Sequence, residues 1–182
     1  MAGPDAALLA RIESLAHTRA PTLGSGRLIC IDGPAGSGKT TLAAALCERL
    51  DSPVVHMDDL YPGWDGLEHV APEVLGLLAP LAAGEAGRFR RFDWAAGRYG
   101  PTVVVEPAPW LVLEGVGAGN PEWSRWCTLL VWVHAPADTR LARGLARDGE
   151  ALRSRWEKWM RDEQVVLTRG STRERADVEV ET

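Results

Sequence analysis

Apolar and polar positions along this chain recur at two periods, and the switches between them predict alternating helices and strands. Leu8, Leu9, Ile12, Leu15 and Ala16 share one helical face behind a capping Asp5, which predicts a helix over 5–17. A Pro/Gly loop over 20–26 leads into Leu28-Ile29-Cys30-Ile31, a strand over 27–32. An Ala/Leu-rich helix ends near Leu50, and a short strand follows at 53–56. Beyond a turn-rich segment at 62–66, the pattern gives helical patches over 68–83, broken at Pro72 and Pro80. Strands at 88–93 and 102–106 read as a hairpin across 95–101. Trp110-Leu111-Val112-Leu113-Glu114 reads as a buried strand ending in an acid. The most apolar strand, 127–134, stops before Pro136. Arg-rich helices over 138–147 and 150–168 and a short strand over 177–181 complete the chain.

Strands alternating with helices imply an α/β protein with a parallel sheet and helices on both faces. No internal repeat, low-complexity tract or composition shift divides the chain, so its 182 residues read as a single domain. In such sheets ligands gather at the carboxyl ends of the strands. Asp58 and Asp59 follow the second strand, and Glu114 ends a later one.

Composition narrows the classes. A hydrophobic fraction of 46% and a charged fraction of 25% suit a water-soluble globular protein. A net charge of −5 gives no electrostatic case for nucleic-acid binding. No apolar stretch is long enough to span a bilayer. Residues 1–10 lack a basic start, and Arg11 and Glu13 interrupt the apolar run, so no secretory leader and a cytoplasmic location are expected. Cys30, Cys47 and Cys127 lie in apolar surroundings, as free thiols in a reducing compartment do, and no Cys/His spacing resembles a zinc site.

The stretch Gly33-Pro34-Ala35-Gly36-Ser37-Gly38-Lys39-Thr40 reads G-x-x-x-x-G-K-T between a predicted strand and a predicted helix. That is the phosphate-binding P-loop pattern in its proper context. The glycines let the backbone curl so that amides converge on phosphate oxygens. The helix start adds unpaired amides and a positive dipole end. Ala35, Ser37 and Thr41 contribute backbone to the same cradle, Lys39 reaches the β- and γ-phosphates, and the Thr40 hydroxyl can ligate Mg²⁺. Of the 20 basic residues only Lys39 and Lys158 are lysine. A lysine persists where a compact ammonium is needed and a planar fork would not substitute. ATP and Mg²⁺ are therefore the expected ligands.

Phosphoryl transfer needs more than a cradle: a base or positioner for the nucleophile, a metal ligand, and positive charge over the transferring group. Asp58, ahead of Asp59, is the candidate base; the alternative is a polar turn. Glu114 is the second candidate Mg²⁺ ligand, or else caps the Gly115 turn. Arg140, Arg143 and Arg147 recur at spacings of three and four and share a helical face. They read either as a lid over the phosphates or as a solvated face paired with Asp138, Asp148 and Glu150. Asp93 and Arg98 flank a Trp/Gly turn and either bind acceptor hydroxyls or merely shape the hairpin. Trp156 and Trp159 share a helical face and read as core. His17, His56, His69 and His134 are isolated and are given no catalytic role.

With these residues in hand, the chain resembles the uridine kinase-like branch of P-loop kinases. The matching pieces are I-D-G-P-A-G-S-G-K-T-T-L-A (31–43), H-M-D-D-L-Y (56–61), F-D-W (92–94) with Arg98, L-E-G-V (113–116) and A-D-T-R-L-A-R-G-L-A-R-D (137–148). The resemblance implies a three-layer α/β/α fold around a five-stranded parallel sheet. It implies ATP-dependent phosphorylation of a small-molecule hydroxyl, often that of a nucleoside such as uridine or cytidine. Asp58 then matches the acceptor-side base. Tyr61, Asp93, Arg98 and Glu114 join Asp58 on the acceptor side. Arg140 and Arg143 act with Lys39 on the transferring group, and Arg147 meets the nucleotide from a lid near 138–155. A kinase for another metabolite or a nucleoside monophosphate, and a non-enzymatic ATP-binding module, are the alternative readings. The absence of an N-K-x-D guanine-reading motif argues against a GTPase switch.

Overall fold

The computed structural model describes residues 4–182. Its centre is a five-stranded, all-parallel sheet in the order β2-β5-β1-β6-β7. These strands are β1 (Arg27–Asp32), β2 (Val54–His56), β5 (Trp110–Glu114), β6 (Cys127–His134) and β7 (Val178–Glu181). The helices are α1 (Ala6–His17), α2 (Lys39–Leu50), α3 (Ala71–Ala82), α4 (Ala137–Asp148) and α5 (Arg153–Arg169). The remaining strands, β3 (Gly87–Asp93) and β4 (Arg98–Val105), form a separate antiparallel pair.

The sheet is apolar on both faces because helices cover both. Ile29, Ile31, Val112, Val131 and Val133 pack on one side against Ile12, Leu42 and Leu46 of α1 and α2. Leu28, Cys30, Leu113, Leu130 and Trp132 pack on the other with Leu77 and Leu78 of α3 and Trp159 and Leu167 of α5. The expected three-layer α/β/α arrangement with a five-stranded parallel sheet is what the chain adopts.

Three local expectations change. The segment expected to break at Pro72 and Pro80 is one continuous helix, α3. Pro72 sits in the first turn, where no amide partner is needed, and Pro80 lies close to the helix end. The hairpin turn is shorter than expected, because β4 begins at Arg98. The Asp93 carboxylate closes this turn by accepting from the Ala95 and Ala96 amides at 3.0 and 2.9 Å. Pro101 is accommodated opposite the register shift between Arg90 and Phe92, where a missing amide costs no ladder bond. Cys30, Cys47 and Cys127 are free thiols, but only Cys30 is fully buried. Among the described residues no helix is long and apolar enough to cross a membrane.

The hairpin is strapped to the segment after β2. Arg91 pairs with Asp59 at 2.8 Å, and the Tyr99 hydroxyl donates to the Leu60 carbonyl at 3.1 Å. Together these bring the hairpin to the carboxyl edge of the sheet, beside the ends of β2, β5 and β1.

Candidate active site

The glycine loop fills the gap between β1 and α2. Gly33 leaves β1 with φ 140°, and a Cβ there would lie 2.0 Å from the Val133 carbonyl oxygen, so β6 excludes any side chain. Gly38 caps α2 with φ 92° and no side-chain bond. The first amides of α2 are thus left for an anion, at the positive end of the helix dipole. Lys39 is buried, its Nζ donating to the Pro34 carbonyl at 2.9 Å across the mouth of the loop. Thr41 is exposed in the first turn of α2.

Three strand ends converge on this loop. In register, Glu114 of β5 stands beside both Ile31 of β1 and His56 of β2. The buried Glu114 Oε1 accepts from the Thr40 hydroxyl at 3.1 Å and lies 2.6 Å from His56 Nδ1. This bond to Glu114 is the main cause holding the His56 imidazolium above its usual range. Asp58 opens into the same cavity, of about 200 Å³, as Lys39, Thr40 and Glu114. As a whole residue Asp58 is exposed, although its neighbours crowd the carboxyl. Desolvation first, then the charge of Glu114, raise its carboxyl above the usual carboxylate range, while Lys39, Arg147 and His56 pull it back. Asp59 points away, to Arg91.

The far wall of the cavity is aromatic: Trp64, Trp94, Trp156 and Trp159 line it. Trp64 makes edge-to-face contacts with the other three, at centroid separations of 5.6 Å to Trp94, 6.4 Å to Trp156 and 5.9 Å to Trp159. Two indole N–H groups are already used, Trp94 Nε1 on the Asp58 carbonyl at 2.8 Å and Trp156 Nε1 on Asp148 at 3.0 Å. Those two residues therefore offer ring faces and edges rather than free donors.

Below the loop, Asp32 is fully buried and accepts from the amides of Gly33, Gly117 and Gly119 at 2.6–2.8 Å. It ties the glycine loop to the turn that follows Glu114. Burial pushes its carboxyl up to about 6, against the pull of those amides and of Lys39.

Several residues expected at the site lie elsewhere. The Tyr61 side chain is fully buried and its hydroxyl donates to the Val116 carbonyl, making it a strut between two loops and not an acceptor contact. Asp93 and Arg98 are exposed at the hairpin turn, outside the cavity lining, with Asp93 spent on turn amides. The three arginines of α4 do not form a common lid. Arg140 is buried beneath the glycine loop, and Arg143 donates to the Gly36 carbonyl at 3.3 Å from outside it. Arg147 alone of the three lines the cavity, on the rim, with Asp148 aiming its guanidinium through bonds of 2.7 and 3.0 Å.

Sequence reasoning missed His56, Trp64, Trp94 and Glu163. His56 ends its strand as Glu114 does, so the strand-end rule, applied to histidines as well as acids, selects it. Glu163 is a carboxylate on the apolar stripe of α5 shared by Trp156, Trp159 and Leu167, a visible anomaly. Trp64 and Trp94 carry no such signal, because only the tertiary fold brings them together.

A sheet of this order, with a glycine loop after its central strand and an acid ending the neighbouring one, matches solved structures over nearly its whole length. A possible uridine kinase from Bacillus stearothermophilus superposes with a TM-score of 0.66 at 24% identity, over 96% of this chain and all of that one. A candidate fructose transport system kinase from Silicibacter sp. superposes with a TM-score of 0.68 at 18% identity, over 94% of this chain and 98% of that one. The chain has the fold of P-loop kinases. No family model and no curated protein matches the sequence. At these identities the likeness extends to the fold, and activity has to be argued from the site.

Proposed function

We propose that this protein is an ATP-dependent kinase that transfers the γ-phosphoryl group to a hydroxyl of a small, uncharged acceptor with a flat apolar face, a nucleoside such as uridine or cytidine. The observation that carries this reading is one cavity holding the phosphate-binding Lys39 and Thr40 at one end, a bank of tryptophans at the other, and Asp58 among its lining residues. A switch or storage module has no need of a carboxylate and an apolar wall beside the phosphates.

Loop amides and Lys39 hold the β- and γ-phosphates. Asp58 accepts, or orients, the proton of the acceptor hydroxyl as its oxygen bonds to the γ-phosphorus. The bond from that phosphorus to the β–γ bridging oxygen breaks, and ADP is the leaving group. Arg147 supplies charge from the rim. The tryptophans bind the acceptor face and shield the reacting groups from water.

Thr40 and Glu114 suit Mg²⁺. Both are hard oxygen donors already in contact, at 3.1 Å. Among the described residues no cluster of three or more His, Cys, Asp or Glu could hold a metal ion, in keeping with an ion that takes one or two protein ligands and completes its shell with water and phosphate. When bound, Mg²⁺ supplies neutralisation of the phosphate charge. His56 fixes the orientation of Glu114 from behind.

The deciding experiment is ADP release from Mg·ATP across a panel of nucleosides, nucleoside monophosphates, sugars and vitamin precursors, with Lys39→Ala as the blank. Stimulation by uridine or cytidine is expected. Stimulation by a different acceptor alone replaces the substrate, and ATP binding without stimulation by any acceptor removes the kinase reading.

The aromatic wall gives a separate prediction. Trp64→Ala is expected to raise the acceptor KM about tenfold, the scale of one aromatic face lost from a pocket. The KM for ATP should stay near wild type. Steady-state kinetics with each substrate varied in turn check this; a change confined to ATP would refute the placement of the acceptor against Trp64.

A further inference from the structure

The outward-facing backbone groups of the glycine loop are held from outside. Arg140 Nη1 donates to the Ala35 carbonyl at 3.0 Å, and the Ala35 amide donates to Glu163 Oε2 at 2.8 Å. The two side chains are themselves paired, Arg140 Nη1 to Glu163 Oε1 at 2.8 Å, and Arg140 Nε is anchored on the Ala135 carbonyl at 3.1 Å. One buried ion pair, bridging α4 and α5, therefore grips both polar backbone groups of a single loop residue. Next along the loop, the Gly36 and Ser37 carbonyls are taken by Arg143 and by the Thr182 hydroxyl, at 3.3 and 2.8 Å.

Such a pair is a poor device for stability alone. Glu163 is 1% exposed and Arg140 8%. Charges that deep sacrifice hydration that their mutual attraction barely restores, and apolar residues of similar size often stabilise as well or better. The neighbours of Glu163 on α5 are apolar, so a methionine would fit the stripe. A loop with three glycines, in contrast, has many competing conformations, and each must be excluded before its amides converge.

Resting on the nucleotide-binding reading above, we propose that Arg140 and Glu163 are positioning residues for the phosphate site: by clamping Ala35 they turn its polar groups outward and hold the amides that follow in their phosphate-binding arrangement. Preorganisation of this kind raises affinity by removing an ordering cost from the bound state. Arg140 thus acts through the loop and touches no substrate.

The test is the double variant Arg140→Met/Glu163→Met, compared with wild type in three measurements: thermal midpoint without nucleotide, Mg·ATP affinity by calorimetry, and amide hydrogen exchange across 33–40. The fold is expected to survive. ATP Kd should rise tenfold or more, the loop amides should exchange at least tenfold faster, and the acceptor KM should not move. A merely structural pair would lower the midpoint and leave both the Kd of the folded protein and the exchange of the loop unchanged; that result overturns the proposal. Glu163→Gln keeps one acceptor oxygen but turns an NH2 donor toward either the Ala35 amide or the Arg140 guanidinium, both donors themselves, so it should raise the ATP Kd in the same direction as the double variant. Should the double variant fail to fold, Arg140→Lys decides. It retains the charge pair but cannot reach three acceptors with one fork, so an unchanged ATP Kd in that variant also refutes the clamp. A wild type that binds no ATP, yet shows loop exchange accelerated by the double substitution, would defeat the nucleotide reading and keep the clamp.

Discussion

Asp58→Asn is expected to lower kcat by about two to four orders of magnitude, the usual contribution of a positioned general base, while ATP Kd stays within about threefold. The change is isosteric. Trp94 bonds the Asp58 backbone carbonyl, not its carboxylate, so the aromatic wall remains in place. What disappears is the one cavity carboxylate left free for a hydroxyl proton, since Glu114 is engaged by Thr40 and His56 and Asp148 by Arg147 and Trp156. Asp59→Asn is the internal control. Its partner is Arg91 on the hairpin, so it should loosen the hairpin and raise the acceptor KM without removing turnover. Steady-state kinetics of both variants decide, and a large kcat loss in Asp59→Asn alone would reverse the roles of the pair. The pH profile adds a second check. Desolvation and the charge of Glu114 raise the Asp58 carboxyl, so its proton persists to higher pH than in an ordinary aspartate. Activity is present above that raised value and is lost as pH falls through it. The acid limb of kcat/KM should therefore lie above the usual carboxylate range, and it should vanish in Asp58→Asn.

How far a sequence shows such a site depends on what fixes each residue. The glycine loop was legible because its chemistry is local: eight consecutive residues define both the backbone shape and the charge. The sheet was legible because strands buried on both faces read as short apolar runs. Asp58 and Glu114 came from one topological rule, that parallel strands deliver their ends to a common edge, and the structure brings both to the cavity beside the loop. The α4 arginines show where spacing stops helping. Steps of three and four establish a shared face, but not what that face meets, and here Arg140 and Arg143 meet the outside of the loop rather than its ligand side. The hairpin shows the same limit differently. Asp93 and Arg98 looked equally suited to binding and to turning the chain, and the carboxylate turned out to cap two amides of its own turn. Trp64 and Trp94 are 30 positions apart in sequence and meet only because Asp59–Arg91 and Tyr99–Leu60 fasten the hairpin to the segment after β2.

The second large effect concerns the phosphate end. Lys39→Ala is expected to reduce acceptor-stimulated ADP release by about three orders of magnitude, the upper range for removing one preorganised donor from a developing charge, and so to leave no measurable turnover. Lys39 is the only lysine in the cavity, and its ammonium spans the loop to the Pro34 carbonyl. The loop is therefore braced by the residue proposed to meet the phosphates, and its loss removes both the charge and an internal strap. Lys39→Arg should fail nearly as badly, because a planar fork cannot replace a compact ammonium 2.9 Å from a backbone carbonyl in a buried position. Neither change should unfold the protein, since Asp32, through the Gly33 amide, and Arg140 and Glu163, through Ala35, hold the loop independently. Thermal melting beside the ADP-release assay separates the two effects. A folded Lys39→Ala with full turnover would remove the phosphate cradle from the mechanism, and with it the reason for placing ATP in this cavity.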